Sequence, residues 1–422
     1  MPPPTFPKGF LWGAATAAHQ VEGYCTNNNW WEWEQAGHIN DGSVSGVACD
    51  QYRRFDDDFR LAASLGHNAH RFSIEWSRVE PAEGVFDEAE WDHYRAVCDS
   101  VRRHGMLPTL TLHHFTNPIW AQRKGGWENP AIVDWLARLA ERAARALGDR
   151  VGIWWTINEP MVAPMACYLV GVHPPGVRDL GRALVVGRHV LLAHGRMYEA
   201  LKSVLPAGVP VGVVHASPYL EASDPANEAH RTQAEQEDHF MNAYYLDGIA
   251  TGRVAPPFGD GQEVRGLAGS FDLLGVNYYS RMLVGGPRVG LSLKVRRPDE
   301  PGEFHDEMGW EVYPPGLGIQ LRRFAGYGKP LMVTENGHAT LDEAARTRYL
   351  RVHLGEVARA IADGVDVRGY FYWSLLDNFE WAEGWGRHFG LLGMEKGTLA
   401  RQVRPAAELL SEVARRNAVP DE

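Results

Sequence analysis

Two glutamates each close a short apolar run. Glu159 follows Ile153-Trp154-Trp155-Thr156-Ile157-Asn158 and is followed at once by Pro160. Glu335 follows Leu331-Met332-Val333-Thr334 and precedes Asn336-Gly337. A lone glutamate at such a position is usually a solvated group. Two brought face to face can divide acid-base work, one donating a proton while the other, kept ionised by a cation, attacks or stabilises positive charge. Other apolar runs end in His113-His114-Phe115, in Asn277-Tyr278-Tyr279, and in a segment running from Trp373 through Asp377, Asn378 and Glu380 to Trp381. Amides and carboxylates take paired hydroxyls and indole faces cover C–H surface, so this mixture suits a neutral, hydroxyl-rich ligand.

These residues act together only if the fold gathers the run ends at one rim. The chain alternates apolar strands with amphipathic helices, without linkers or low-complexity stretches. The pattern predicts strands over 10–18, 70–76, 107–114, 153–158, 209–215, 273–279, 331–334 and 369–375. The helices between and after them fall over 50–65, 88–104, 132–147, 182–205, 234–249, 317–324, 342–362 and 406–415. The strands are short and apolar on both faces, as in a buried parallel sheet. Eight such units imply an α/β fold, a single (β/α)8 TIM barrel spanning residues 1–422, with the active site at the C-terminal ends of the strands. Glu159 and Glu335 then project from the fourth and seventh strands into one bowl. Two carboxyl groups facing across a cleft are the arrangement that hydrolysis of a glycosidic bond requires.

Composition narrows the alternatives. The 422 residues are 45% hydrophobic and 23% charged, enough apolar material for a large core. Basic residues number 42 against 53 acidic, a net charge of -11, which disfavours nucleic acid or an anionic membrane as partner. No apolar stretch approaches the ~20 residues of a membrane span. Cys25, Cys49, Cys98 and Cys167 lie far apart without a C-x-x-C pair, so they read as free thiols in a reducing cytoplasm. Lys8 and the run 9–18 loosely imitate a signal peptide, but the preceding Pro2-Pro3-Pro4 is atypical of a charged leader and the run makes a good first strand. A neutral substrate fits this balance better, and a homo-oligomer is compatible with the sequence.

Six segments together resemble glycoside hydrolase family 1, the β-glucosidase family. They are the opening Phe10-Leu11-Trp12-Gly13-Ala14-Ala15-Thr16-Ala17-Ala18-His19-Gln20-Val21-Glu22-Gly23, then Arg71-Phe72-Ser73-Ile74-Glu75-Trp76-Ser77-Arg78, and Thr156-Ile157-Asn158-Glu159-Pro160. Gly275-Val276-Asn277-Tyr278-Tyr279, Val333-Thr334-Glu335-Asn336-Gly337 and the stretch ending at Trp381 follow in the same order. The resemblance implies a small β-glycoside or oligosaccharide as partner, and a retaining β-glycosidase with Glu159 as general acid and base and Glu335 as nucleophile. It implies that Arg71 and Tyr279 stand beside Glu335 and keep it ionised. Gln20, His114, Asn158 and Glu380 would hold the sugar hydroxyls, with Asn277 near the nucleophile. Trp373 would form the floor, Trp381 and Phe389 the wall, and Trp310 the entrance. No cofactor and no metal are implied. Glu380 disfavours a 6-phosphorylated sugar, because a carboxylate there repels a phosphate dianion.

Two positions depart from the family pattern. Phe115 stands where a tryptophan is usual, which removes an indole beside the sugar. Met161 stands where the residue after Asn-Glu-Pro is usually tryptophan; there a flexible thioether bordering the leaving group would make a more adaptable entrance. Three other readings remain. A transglycosylase would differ only in the acceptor of the glycosyl group. A metal-dependent barrel hydrolase would use His67, His70, His113 or His114, but no HxH or HExxH spacing is present. A non-catalytic sugar binder would have lost its carboxylates, and both are present.

Overall fold

Eight parallel strands close into a barrel in the computed structural model, which describes residues 5–285, 306–395 and 397–420. The Pro2-Pro3-Pro4 tract lies outside the described residues. The strands are β1 (Leu11–Ala15), β2 (Ala69–Ser73), β3 (Leu107–His113), β4 (Ile153–Asn158), β5 (Val211–Ala216), β6 (Leu273–Asn277), β7 (Leu331–Glu335) and β8 (Val367–Trp373). Each pairs with its sequence neighbour, and β1 closes the ring against β8 with Ala15 opposite Trp373.

The reason these runs form barrel strands is visible in their alternation. Successive side chains of a strand point to opposite faces, and here both faces are buried. Ile153, Trp155, Val214, Leu273, Met332 and Phe371 fill the barrel interior. Their neighbours Trp154, Val213, Leu274, Val333, Tyr370 and Tyr372 pack outward under the helices. The helices start at side-chain caps: Asp87 for Glu88–Arg103, Asp179 for Leu180–Val204 and Asp342 for Glu343–Ala362, each accepting from a first-turn N–H. Among the described residues no helix is long and apolar enough to cross a membrane. All four cysteines are unpaired.

The structure departs from the sequence reading at three places. The first strand stops at Ala15, not at residue 18, because the Ala18 N–H bonds to Ser73 Oγ (2.8 Å) and the chain turns into the short helix Ala18–Val21. That turn carries His19 and Gln20 under the rim. The helix expected over 234–249 begins earlier, capped by Asn227, and is split into Glu228–Asp238 and Tyr244–Thr251 by a wide turn at His239–Ala243. There the Asn242 side chain donates to Pro218 O and Asp238 Oδ1, a local bond that no hydrophobic period encodes. Two short strand pairs outside the barrel, Tyr219–Ala222 with Arg281–Val284 and Leu392–Met394 with Arg401–Val403, were not expected.

Candidate active site

A cavity of ≈ 960 Å³ opens at the C-terminal mouth of the barrel, and both Glu159 and Glu335 line it. The route from sequence to this geometry is short. Glu335 is the last residue of β7 and lies in register with Asn277, the last of β6. Glu159 comes one residue after β4 ends, with φ 46°, a left-handed conformation that costs a non-glycine residue free energy and re-aims the side chain after the strand. Phe115 (φ 70°) and Trp381 (φ 47°) share that conformation on the same rim. Gly337 is demanded by close approach: a Cβ there would lie 1.8 Å from the Trp373 carbonyl oxygen. Asn336 beside it ties three strand ends, donating to Tyr278 O (2.7 Å), accepting from Tyr370 Oη (2.7 Å), and accepting at its backbone from Trp373 N (3.0 Å).

The two carboxylates are the ends of one continuous hydrogen-bonded chain. Arg71, on β2, donates from Nη1 to Glu335 Oε1 (2.6 Å) and from Nη2 to Asn158 Oδ1 (2.6 Å). Tyr279 donates its hydroxyl to Glu335 Oε2 (2.7 Å). Asn277 Nδ2 donates to Glu159 Oε1 (2.9 Å) and more weakly to Asn158 Oδ1 (3.3 Å). Thr334 fixes that amide by donating to Asn277 Oδ1 (2.8 Å), so the NH2 end must face Glu159. Thr111 accepts from Arg71 Nε (3.2 Å) and holds the guanidinium in plane. Thr111 and Thr334 are buried polar residues inside strands; their signal in the sequence is a hydroxyl interrupting an apolar run.

The surroundings treat the two acids differently. Glu335 receives hydrogen bonds from the buried Arg71 guanidinium and the Tyr279 phenol. Glu159 is pushed up to about 8, first by burial and then by the charge of Glu335, against the opposing pull of Asn277 and Arg71. Glu380 also rises to about 8, again through burial and Glu335, with hydrogen bonds from Trp373 and Gln20 working the other way. The His114 imidazole falls well below its ordinary value through burial and the neighbouring Arg71, so it is neutral. Its Nε2 faces the Asn158 amide nitrogen (3.2 Å) and therefore accepts, which assigns the proton to Nδ1, an atom without a protein partner.

The expected sugar-holding residues gather at this mouth with two differences. His114, Asn158, Asn277, Trp310, Trp373, Glu380, Trp381 and Phe389 all line the cavity. The His114 ring lies near-parallel to Trp373 and to Trp381, each 5.9 Å away, so floor and wall are one ring stack. Gln20 is fully buried behind Glu380, donating to Asn378, Phe379 O and Glu380 Oε2 (3.2 Å), with its own Oε1 unpartnered. Met161 corrects an expectation. It is 1% exposed in the core under the helices and borders no part of the cavity; Val162 lines the mouth instead. The left-handed backbone at Glu159 shifts the following residues, so the position cannot be read as a simple continuation of the strand. Trp33, His38, His173, Arg178, Met308 and Arg387, which sequence reasoning did not single out, also border the cavity. Trp33 sits on the short helix Asn29–Gln35 and the other five on irregular segments, where no hydrophobic period marks them.

His113, on the opposite face of β3 from His114, bonds to Asn117 (3.0 Å). Among the described residues one group, His19, Cys25 and Glu75, brings three potential metal-ligand atoms within 4.8 Å. Its donors are engaged: His19 with Glu34 (2.7 Å) and Asn28 (3.1 Å), Glu75 with Ser77 Oγ (2.6 Å) and Thr116 (3.1 Å). It does not line the cavity.

Comparison with known proteins joins this geometry to a family. The model of glycosyl hydrolase family 1 matches residues 3–419. The chain belongs to that family. A β-glucosidase A from Thermotoga maritima is 34% identical, with 99% of each chain covered. A bifunctional β-D-glucosidase/β-D-fucosidase from Bifidobacterium breve is 35% identical over 92% of this chain and 93% of its own. Among solved structures, a β-glycosidase from Pyrococcus horikoshii superposes with TM-score 0.90 at 38% identity, covering 99% of this chain and 97% of that one. The T. maritima β-glucosidase in complex with glucoimidazole superposes at TM-score 0.91 and 32% identity, covering 99% and 100%. This family-1 chain therefore has a glycoside hydrolase barrel along almost its whole length.

Proposed function

We propose that the chain is a retaining β-glycosidase, a β-glucosidase that also accepts β-galactosides and β-fucosides, working on small glycosides in the cytoplasm. The observation that carries the mechanism is the hydrogen-bonded chain joining Glu335 to Glu159 through Arg71, Asn158 and Asn277. The names of the relatives support the glycone, including the fucoside. The unpaired cysteines support the compartment.

In the first step Glu335 attacks the anomeric carbon while Glu159 gives its proton to the departing glycosidic oxygen. The bond to the leaving group breaks as the bond to Glu335 Oε forms. Arg71 and Tyr279 orient the attacking carboxylate through hydrogen bonds to its two oxygens. Esterification removes the charge on Glu335. One of the two causes that raise the proton affinity of Glu159 then disappears, and Glu159 takes a proton from water. The hydroxide equivalent adds to the same anomeric face, Glu335 leaves, and the β-configured sugar is released. Asn158, bridging Arg71 and His114, is positioned to hold the 2-hydroxyl, whose hydrogen bond strengthens as charge develops on the ring.

The test is covalent trapping. A 2-deoxy-2-fluoro β-D-glucoside with a good leaving group should add one fluoroglucosyl mass per chain, with the label on the peptide containing Glu335. A label on another residue, or steady turnover of ordinary β-glucosides with no trappable adduct, would overturn the assignment.

A further inference from the structure

The solvent-facing part of the cavity lining carries four charged side chains, Glu307, Glu383, Arg387 and Arg178. Three are compensated within the protein. Arg387 donates to Glu383 (2.5 Å), which also accepts from Asn40 (2.9 Å). Glu307 accepts from the backbone N–H of His388 (2.8 Å) and faces its imidazole Nδ1 (3.0 Å). Arg178 has no hydrogen bond or ion pair among the described residues and is exposed at the mouth. His173, on the same loop, is held neutral by burial, at about 4, and adds no second charge.

The loop is built to hold that arginine there. Its backbone is pinned on both sides of Arg178, by Val177 N to Cys167 O (3.0 Å) and Asp179 N to Tyr168 O (2.8 Å). The Arg178 stem crosses Gly171, where a Cβ would lie 2.8 Å from Arg178 Cγ, and Gly171 is left-handed (φ 72°). Gly176 packs on Trp33, a Cβ there falling 2.6 Å from the indole edge. The same cavity lining includes the apolar side chains of Val162, Val172, Met308 and Trp310. An exposed guanidinium without a protein partner among the described residues, its stem packed on Gly171 beside apolar lining residues, suits a flat ring bearing an anion.

We infer that this glycosidase selects β-glycosides whose aryl aglycone carries a carboxylate, bound by Arg178 at the cavity mouth. The inference rests on the function proposed above and adds the class of leaving group. The anion lies at the outer end of the aglycone, away from the buried carboxylates, and leaves the reacting atoms and their proton inventory unchanged.

The experiment compares 4-carboxyphenyl β-D-glucoside with its uncharged 4-carboxamidophenyl counterpart in wild type, Arg178→Gln and Arg178→Lys. The readout is the ratio of kcat/KM for acid over amide. Dividing the wild-type ratio by the mutant ratio cancels the difference in leaving-group acidity. An exposed ion pair is worth up to about a factor of five, so the quotient for Arg178→Gln should be about three to five. Arg178→Lys should restore most of it. The quotient should fall toward one in 1 M salt, where the screening length is ~3 Å. The amide substrate is the internal reference for each protein, so a general effect of the substitution on turnover cancels in the quotient. A quotient of one at low salt would overturn the Arg178 assignment while leaving the glycosidase intact. Failure of wild type to cleave the amide would instead overturn the glycosidase reading, and this inference with it.

Discussion

Replacing Glu335 by glutamine removes one charge from the cavity and leaves its shape. It therefore imitates the electrostatics of the enzyme once a sugar is esterified at that position. Glu159 is raised to about 8 by burial first and by Glu335 second. Burial is unchanged in Glu335→Gln, so only the second cause is lost. For carboxylates roughly 5 Å apart and an effective dielectric constant of about 20, the Coulomb energy is about 3 kcal/mol, or about two pH units. The Glu159 titration should fall from about 8 to roughly 6. The assay is a ¹³C NMR titration of Cδ-labelled glutamate, with Glu159 assigned by the resonance missing in Glu159→Gln. In the wild type the same group should set the alkaline limb of kcat/KM. The protonated acid is depleted as pH rises through about 8, and activity falls with it. An unchanged midpoint near 8 in Glu335→Gln would refute the argument that the two acids sense each other, and with it the switch of Glu159 from acid to base.

Three further outcomes follow from the same contacts. Glu159→Ala should slow substrates with poor leaving groups by orders of magnitude. It should leave the glycosylation step of 2,4-dinitrophenyl glycosides nearly intact, as read by a pre-steady-state burst, since a good leaving group needs little protonation. Tyr279→Phe removes the hydroxyl donated to Glu335 Oε2, and a hydrogen bond to a charged acceptor is worth about 1.5–3 kcal/mol. kcat/KM should fall about 10- to 100-fold while the circular dichroism spectrum is unchanged. Arg71→Met removes a partner whose side chain is 1% exposed and strands the Glu335 carboxylate, whose side chain is 5% exposed. Losing one partner of a buried pair costs about 3–5 kcal/mol, measurable as a shift of the urea midpoint at pH 7.

Much of this architecture was legible because a parallel barrel writes itself into the chain twice. Its strands are apolar on both faces, so runs such as 153–158 and 331–334 stand out. Their C-terminal ends carry the polar residues that the mouth needs, so Glu159, Asn277 and Glu335 announce themselves by interrupting those runs. What escaped the sequence lies where the backbone leaves regular geometry. The resemblance put Met161 beside the leaving group, but after the left-handed turn at Glu159 it packs in the core and Val162 takes the lining. The first strand was drawn too long because small alanines fit a strand or a turn equally, and Ser73 decides for the turn. Gln20 is carried by that turn into hydrogen-bond contact with Glu380. Arg178 belongs to a loop pinned by tertiary contacts with Cys167 and Tyr168, and Trp33, on the short helix Asn29–Gln35, borders the mouth while packing against Gly176.

The central claim, that Glu335 attacks and Glu159 serves both steps from one face, is tested most directly by the stereochemistry of the first product. ¹H NMR of a β-glucoside hydrolysate taken within minutes of mixing should show β-glucose before any α-anomer, the α signal growing later at the rate of spontaneous mutarotation. α-Glucose appearing first would mean a single inverting displacement by water and would contradict the account.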